Sequence, residues 1–177
     1  MRNRLWTIVL ALTLCGCGQN EALNPDVVPG EYSFEGTVFY YEGQEYDLNQ
    51  RENAIYEIWE ATPVGKNILV VSNLSPRANF YSVFNTETRE FERDMAGTNL
   101  IWQGDDLSTC LYVGWPGADI WNYDGNMVAG FDLQTRSEFI HEIRFSDEPG
   151  MLDVEIVTET GRYIEQISLE GETQNDL

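Results

Sequence analysis

The chain has 177 residues, 42% of them hydrophobic and 12% aromatic, with 30 acidic side chains against 10 basic ones and a single histidine. That is about one domain's length, enough to bury a core without covalent staples. A formal charge of −20 repels phosphate backbones and so excludes nucleic acid as a partner, while one histidine excludes His-rich metal sites and the paired histidines of zinc hydrolases.

In chain order, Arg2 and Arg4 precede the apolar run Leu5 to Leu14, which has the length of a secretory signal. Such a run is too short to span a bilayer. It closes in Leu14-Cys15-Gly16-Cys17. This resembles the lipobox of bacterial lipoproteins, and the resemblance implies cleavage before Cys17, which then receives a diacylglyceryl thioether and often an N-acyl chain. Cys15 fits less well, because bulky Leu14 would stand before the cut. Residues 1–16 are then a signal peptide, and the mature chain sits at a bacterial cell membrane or outer membrane, lipid-anchored on the extracytoplasmic side. Without Arg2 and Arg4, eight basic residues remain against thirty acids, and Lys66 is the only lysine. Attachment to anionic lipid therefore rests on the acyl chains rather than on charge.

Residues 17–30 are polar after Cys17, carry Pro25 and Pro29 and show no hydrophobic period, so they read as a flexible tether. Residues 31–170 read as a single all-β domain, and residues 171–177 as a disordered tail. Runs of four to eight residues rich in Val, Ile, Tyr, Phe, Trp and Thr alternate with short Gly, Asp, Asn, Pro and Ser clusters, which is the pattern of antiparallel hairpins in series. About thirteen strands are expected. Around His141, a period of two places Phe139, His141, Ile143 and Phe145 on one apolar face and Ile140, Glu142 and Arg144 on the other. That reading makes His141 at least partly buried, and Trp59 and Trp102, as aromatics on strands, read as core residues. Cys110, in the apolar run Thr109 to Val113, reads as a small buried hydrophobe.

A repeat adds shape. Val38 to Tyr46, Val83 to Phe91, Ile120 to Val128 and Ile156 to Ile164 each place an apolar pair before a polar turn, with starts 45, 37 and 36 residues apart. A second hairpin set lies between them, and two hairpins per period of about 40 residues is the make-up of a four-stranded propeller blade. The domain thus resembles about three WD40-like β-propeller blades, with Asn85-Thr86-Glu87-Thr88 similar to an outer hairpin turn; the Gly-His and Trp-Asp signatures are missing. A β-sandwich and an up-and-down barrel remain open as alternatives.

Recognisable catalytic motifs are missing: no serine stands in a G-x-S-x-G elbow and no Gly-rich phosphate loop occurs. Carboxylate pairs are uninformative among thirty acids. Asp119, Asn122, Asp124 and Asn126 alternate as in calcium loops, yet Asp124-Gly125 reads better as a two-residue hairpin turn. No catalytic residue, metal or cofactor is assigned. The candidate contact residues are aromatic: Trp115 in the Gly/Pro-punctuated stretch Gly114 to Asp119, with Trp121 and Tyr123 nearby. Such rings stack on sugars or accept peptide side chains. The expectation is a non-enzymatic binding or interaction module with a protein or glycan partner. The alternatives are a glycan hydrolase using carboxylates such as Asp105, Asp106 or Asp124, and an accessory lipoprotein that modulates a membrane sensor or transporter.

Overall fold

A computed structural model describes residues 30–50, 57–76, 78–133 and 137–169. The expected signal peptide, Cys17, nearly all of the expected tether and the expected tail lie outside the described residues. Thirteen strands form among those described, all paired antiparallel, with one short 3-10 turn at Leu48–Gln50.

Strands β1 (Tyr32–Glu35), β2 (Val38–Tyr41) and β3 (Gln44–Asp47) make a first sheet. Its second link is Glu42-Gly43, both at positive φ (47° and 81°), a turn whose twist matches that of the flanking strands. Then β4 (Ile58–Val64), β5 (Asn67–Ser75), β6 (Ala78–Asn85), β7 (Glu90–Gln103), β8 (Asp106–Gly114), β9 (Asp119–Asn122) and β10 (Met127–Gly130) pair in strict chain order as a seven-stranded meander. Strands β11 (Phe139–Phe145), β12 (Met151–Thr158) and β13 (Gly161–Ser168) make the third sheet.

The all-β meander is thus as expected, but the strands divide three, seven and three rather than into blades of four. The physical reason is β7. At 14 residues it is long enough to pair with β6 through its first half and β8 through its second, so no break falls where a blade would end. Nor does the large sheet close into a barrel, because β4 and β10 stand at its two edges.

Registers show how three cores arise. Ile68 to Val71 are four consecutive apolar residues, and all four are buried, as a strand covered on both faces requires. Ile68 and Val70 join Phe39, Tyr41, Leu48, Ile58, Phe80 and Phe84 between the first sheet and the large one. Leu69 and Val71 join Tyr81, Val83, Met95, Leu107, Cys110 and Tyr112 on the opposite face. Following the pairs Phe80 with Ala96 and Thr98 with Val113 leads along one face to the third core, where Val113, Ile120 and Leu111 meet Ile140, Ile143, Leu152, Val154 and Ile156. The two small sheets therefore cover the same face of the large sheet at opposite ends.

Among the described residues no sheet covers the other face, which is buried by curling on itself. Gly65, at φ 54° in the β4–β5 turn, has the Asp105 carbonyl of the β7–β8 turn where a Cβ would stand, so two hairpin tips meet only because Gly65 has no side chain. Similarly, the Arg93 guanidinium of β7 lies where a Cβ of Gly125 would be.

Two bulges overturn face assignments read from the sequence. Ile58 pairs with Ser72 and Glu60 with Val71, leaving Trp59 as the extra residue; Ile58 takes the core and Trp59 is 49% exposed. At β11 the register slips between Ile140 and Glu142, so Ile140 and Ile143 both face the core and His141 is exposed. Trp102, by contrast, packs half-buried against the curled face. The β9–β10 link is also longer than the expected two residues: Tyr123 to Asn126 form it, with only Gly125 at positive φ.

Candidate functional site

The segment Gly114 to Asp119 begins where β8 ends. Gly114 is the last ladder residue, buried and paired with Gly97, so it is strand rather than loop. Two glycines facing each other leave a flat floor, and the Trp121 indole uses it. A Cβ on Gly114 would stand 2.5 Å from Trp121 Nε1 and 2.6 Å from its Cδ1. Trp121 also pairs with Tyr112 and packs half-buried against the curled core. Its first role is therefore packing.

Trp115 is different. It is 53% exposed, so it does not fold back as a plug over the end of the β core. The backbone around it is nevertheless tied down. Trp115 N–H donates to the Ala96 carbonyl (3.4 Å), Gly117 N–H to the Gly114 carbonyl (2.7 Å), Ile140 N–H to the Gly117 carbonyl (2.9 Å) and Phe131 N–H to the Ala118 carbonyl (2.9 Å). The Trp115–Pro116 peptide is cis. One loop is thus bonded to β7, to β11 and to the segment after β10, and it presents a large ring from a fixed base.

The loop that carries this ring touches β11, and β7 braces β11 in turn. Gly117 lies against Phe139, whose ring meets His141 edge-on at 6.4 Å. Asn99 Nδ2 donates to the His141 carbonyl at 2.6 Å. Asn99 has a φ of 51° at the bulge where Thr98 pairs with Val113 and Ile101 with Leu111. Asparagine tolerates that conformation better than most side chains. This shelf therefore seats the loop of an exposed indole on β11, whose His141 carbonyl is held by Asn99, through residues far apart in sequence.

Tyr123 lies apart from Trp115 in role. It sits half-buried at the rim of the curled face, beside Arg93, and burial pushes its hydroxyl pKa upward. Arg93 Nε is itself buried without a hydrogen-bond partner. Of the three sequence-selected aromatics, Trp115 is presented to solvent, whereas Trp121 and Tyr123 line the core.

Comparison with family models, with curated proteins and with solved structures finds no match.

The acids weighed as catalysts fall on turns. Asp105 and Asp106 sit at the β7–β8 tip and Asp124 in the β9–β10 link. Ser108, through its hydroxyl (2.7 Å) and its backbone N–H (2.8 Å), holds the Asp106 carboxyl below the usual range. That lowering favours a permanent carboxylate rather than a proton donor. Cys110 is the buried hydrophobe expected: its Sγ lies 3.7 Å from Met95 Sδ, and burial pushes its thiol up to about 12.

Sequence reasoning missed Trp59, Phe139, His141 and Asn99 as surface groups. A bulge is signalled in the sequence only by where a register fails, and that needs the partner strand to be known.

Proposed function

We propose that the chain is a lipid-anchored, extracytoplasmic, non-enzymatic module of the bacterial envelope that engages a protein or glycan partner through the Trp115 shelf. The observation that carries the reading is a loop tryptophan 53% exposed on a backbone bonded to three separate segments. An apolar ring held rigidly in water costs solvation in the free protein and returns it on contact, with little entropy to lose. The anchor rests on the Cys17 context, and the acid surplus supports it, because a surface of that sign does not adsorb to anionic headgroups unaided.

The test has two parts. Cys17→Ser in the full-length chain is expected to abolish acyl incorporation and release the protein from the membrane fraction, whereas Cys15→Ser leaves both unchanged. A photo-crosslinking amino acid at position 115 is expected to capture a defined partner in intact cells, or purified envelope glycan strands to shift the tryptophan emission. Trp115→Ala is expected to remove the signal at a stability cost of about 1 kcal/mol or less. Loss of several kcal/mol, or equal crosslinking from position 89 on the far side of the large sheet's turns, overturns the assignment.

A further inference from the structure

Six strand edges bound the three sheets, and five are blunted. β1, β3 and β10 have four residues each. β4 carries Pro63 and a bulge, and β11 carries a bulge at His141. β13 is the exception. Its eight residues pair with β12 in one unbroken register from Gly161 to Ser168, with neither proline nor lysine. Tyr163 is 48% exposed and Ile164 53%. A long, regular, unprotected edge is a template for strand addition.

The backbone says which residues face outward. Leu169 N–H donates to the Gly150 carbonyl at 2.7 Å, so in this register the odd residues of β13 bond toward β12. The even residues Arg162, Ile164 and Gln166 therefore turn their N–H and C=O groups to the outer edge. We propose that this edge pairs antiparallel with β13 of a second copy, about a two-fold axis through Ile164, making one continuous six-stranded sheet.

The edge is complementary to itself in that register. Ile164 meets Ile164 of the partner subunit, Arg162 meets Gln166 of the partner subunit, and Tyr163 meets Glu165 of the partner subunit. A shift of the axis to Glu165 sets two carboxylates face to face, which is unfavourable. A second copy satisfies the backbone groups at Arg162, Ile164 and Gln166 twice over, and an isologous pairing closes without leading to fibres. The obstacle is the charge of −20 per chain, so pairing strengthens as salt screens it.

The experiment uses the full-length chain with Cys15→Ser and Cys17→Ser, leaving buried Cys110 as the native thiol. Ile164→Cys is expected to form a disulfide-linked dimer under mild oxidation, because the paired Cα atoms lie about 5.5 Å apart. Arg162→Cys and Gln166→Cys, each alone, sit about 14 Å from their own symmetry mates and do not link, but the two mixed together do. Ile164→Lys is expected to keep the circular dichroism spectrum and give a monomer by sedimentation, with the unsubstituted chain dimerising more tightly at higher salt. A monomer at every concentration and salt, equal crosslinking at all three positions, or capture of a different protein at Ile164→Cys overturns the proposal.

Discussion

Replacing Phe84 by alanine tests how the first sheet is held to the second. Phe84 is fully buried and its ring centroid lies 5.1 Å from Phe39, 5.1 Å from Tyr41, 4.9 Å from Tyr46 and 5.1 Å from Phe91. Three of those four neighbours come from the first sheet, so the ring is the common member of the joint. Truncating a buried Phe costs about 3–5 kcal/mol through lost transfer and the cavity left behind, against a total of about 5–15 kcal/mol for a domain. Phe84→Leu keeps most of the volume and isolates the ring-to-ring part, at about 1–1.5 kcal/mol. Urea unfolding followed by far-ultraviolet circular dichroism and by tryptophan fluorescence measures both. The described tryptophans all lie in or beside the large sheet, so the two signals diverge if the first sheet releases early. An alanine cost below about 1.5 kcal/mol, or equal costs for alanine and leucine, refutes the idea that this aromatic joint carries the interface.

Gly114→Ala places a methyl group 2.5 Å from Trp121 Nε1; an overpacking cost of about 1–3 kcal/mol and a shifted indole emission are expected, and an unchanged spectrum counts against the seat. Cys110, with its thiol pushed up to about 12, is expected to resist alkylation at pH 8 in the native protein and to react once denatured. Asp106 and Asp153 are lowered, the first by Ser108 and the second by the Gln166 amide and then Arg144. Their folded values lie below their unfolded ones, so their contribution is present above the ordinary carboxylate value near 4 and is lost as pH falls through the depressed values. Melting temperature is therefore expected to hold down to about pH 5 and fall below about pH 4, with Ser108→Ala and Gln166→Leu each making that fall shallower.

The strand content was legible because side-chain alternation is a local property. Leu152, Val154 and Ile156 fall inward on β12 with Asp153 and Glu155 between them less buried, as a period of two demands. Sheet membership was not legible, because it depends on which strands stay hydrogen-bonded across a turn, and a hairpin spacing of about 40 residues fits seven strands in a row as well as blades of four. Face assignment failed where one extra residue enters a ladder. Trp59, as a strand aromatic, and His141, by alternation, each read as inside, and each stands outside in the structure. The Trp115 loop was found from its punctuation by Pro116 and Gly117, but its neighbours Asn99, Phe139 and His141 come from strands remote in sequence. No spacing rule reaches them.

Under the proposed binding role, charge would sharpen selectivity for contacts on the few exposed apolar positions. The ion pairs Lys66–Glu87 (3.7 Å), Arg144–Asp153 (3.1 Å), Arg162–Glu155 (3.2 Å) and Arg89–Glu42 each join separate strands or turns, so these cations are already engaged in the fold. With thirty acids and ten bases in the chain, at least twenty carboxylates have no basic residue to match. Burying such a carboxylate under a wrongly placed partner costs several kcal/mol, whereas covering Trp115 or Ile164 releases water at about 25 cal/mol per Å². The penalty and the gain act in the same direction, since both favour docking on the few apolar positions and disfavour it elsewhere. A neutralised variant, with surface Glu changed to Gln around the Trp115 shelf, is therefore expected to bind more partners rather than bind one more tightly.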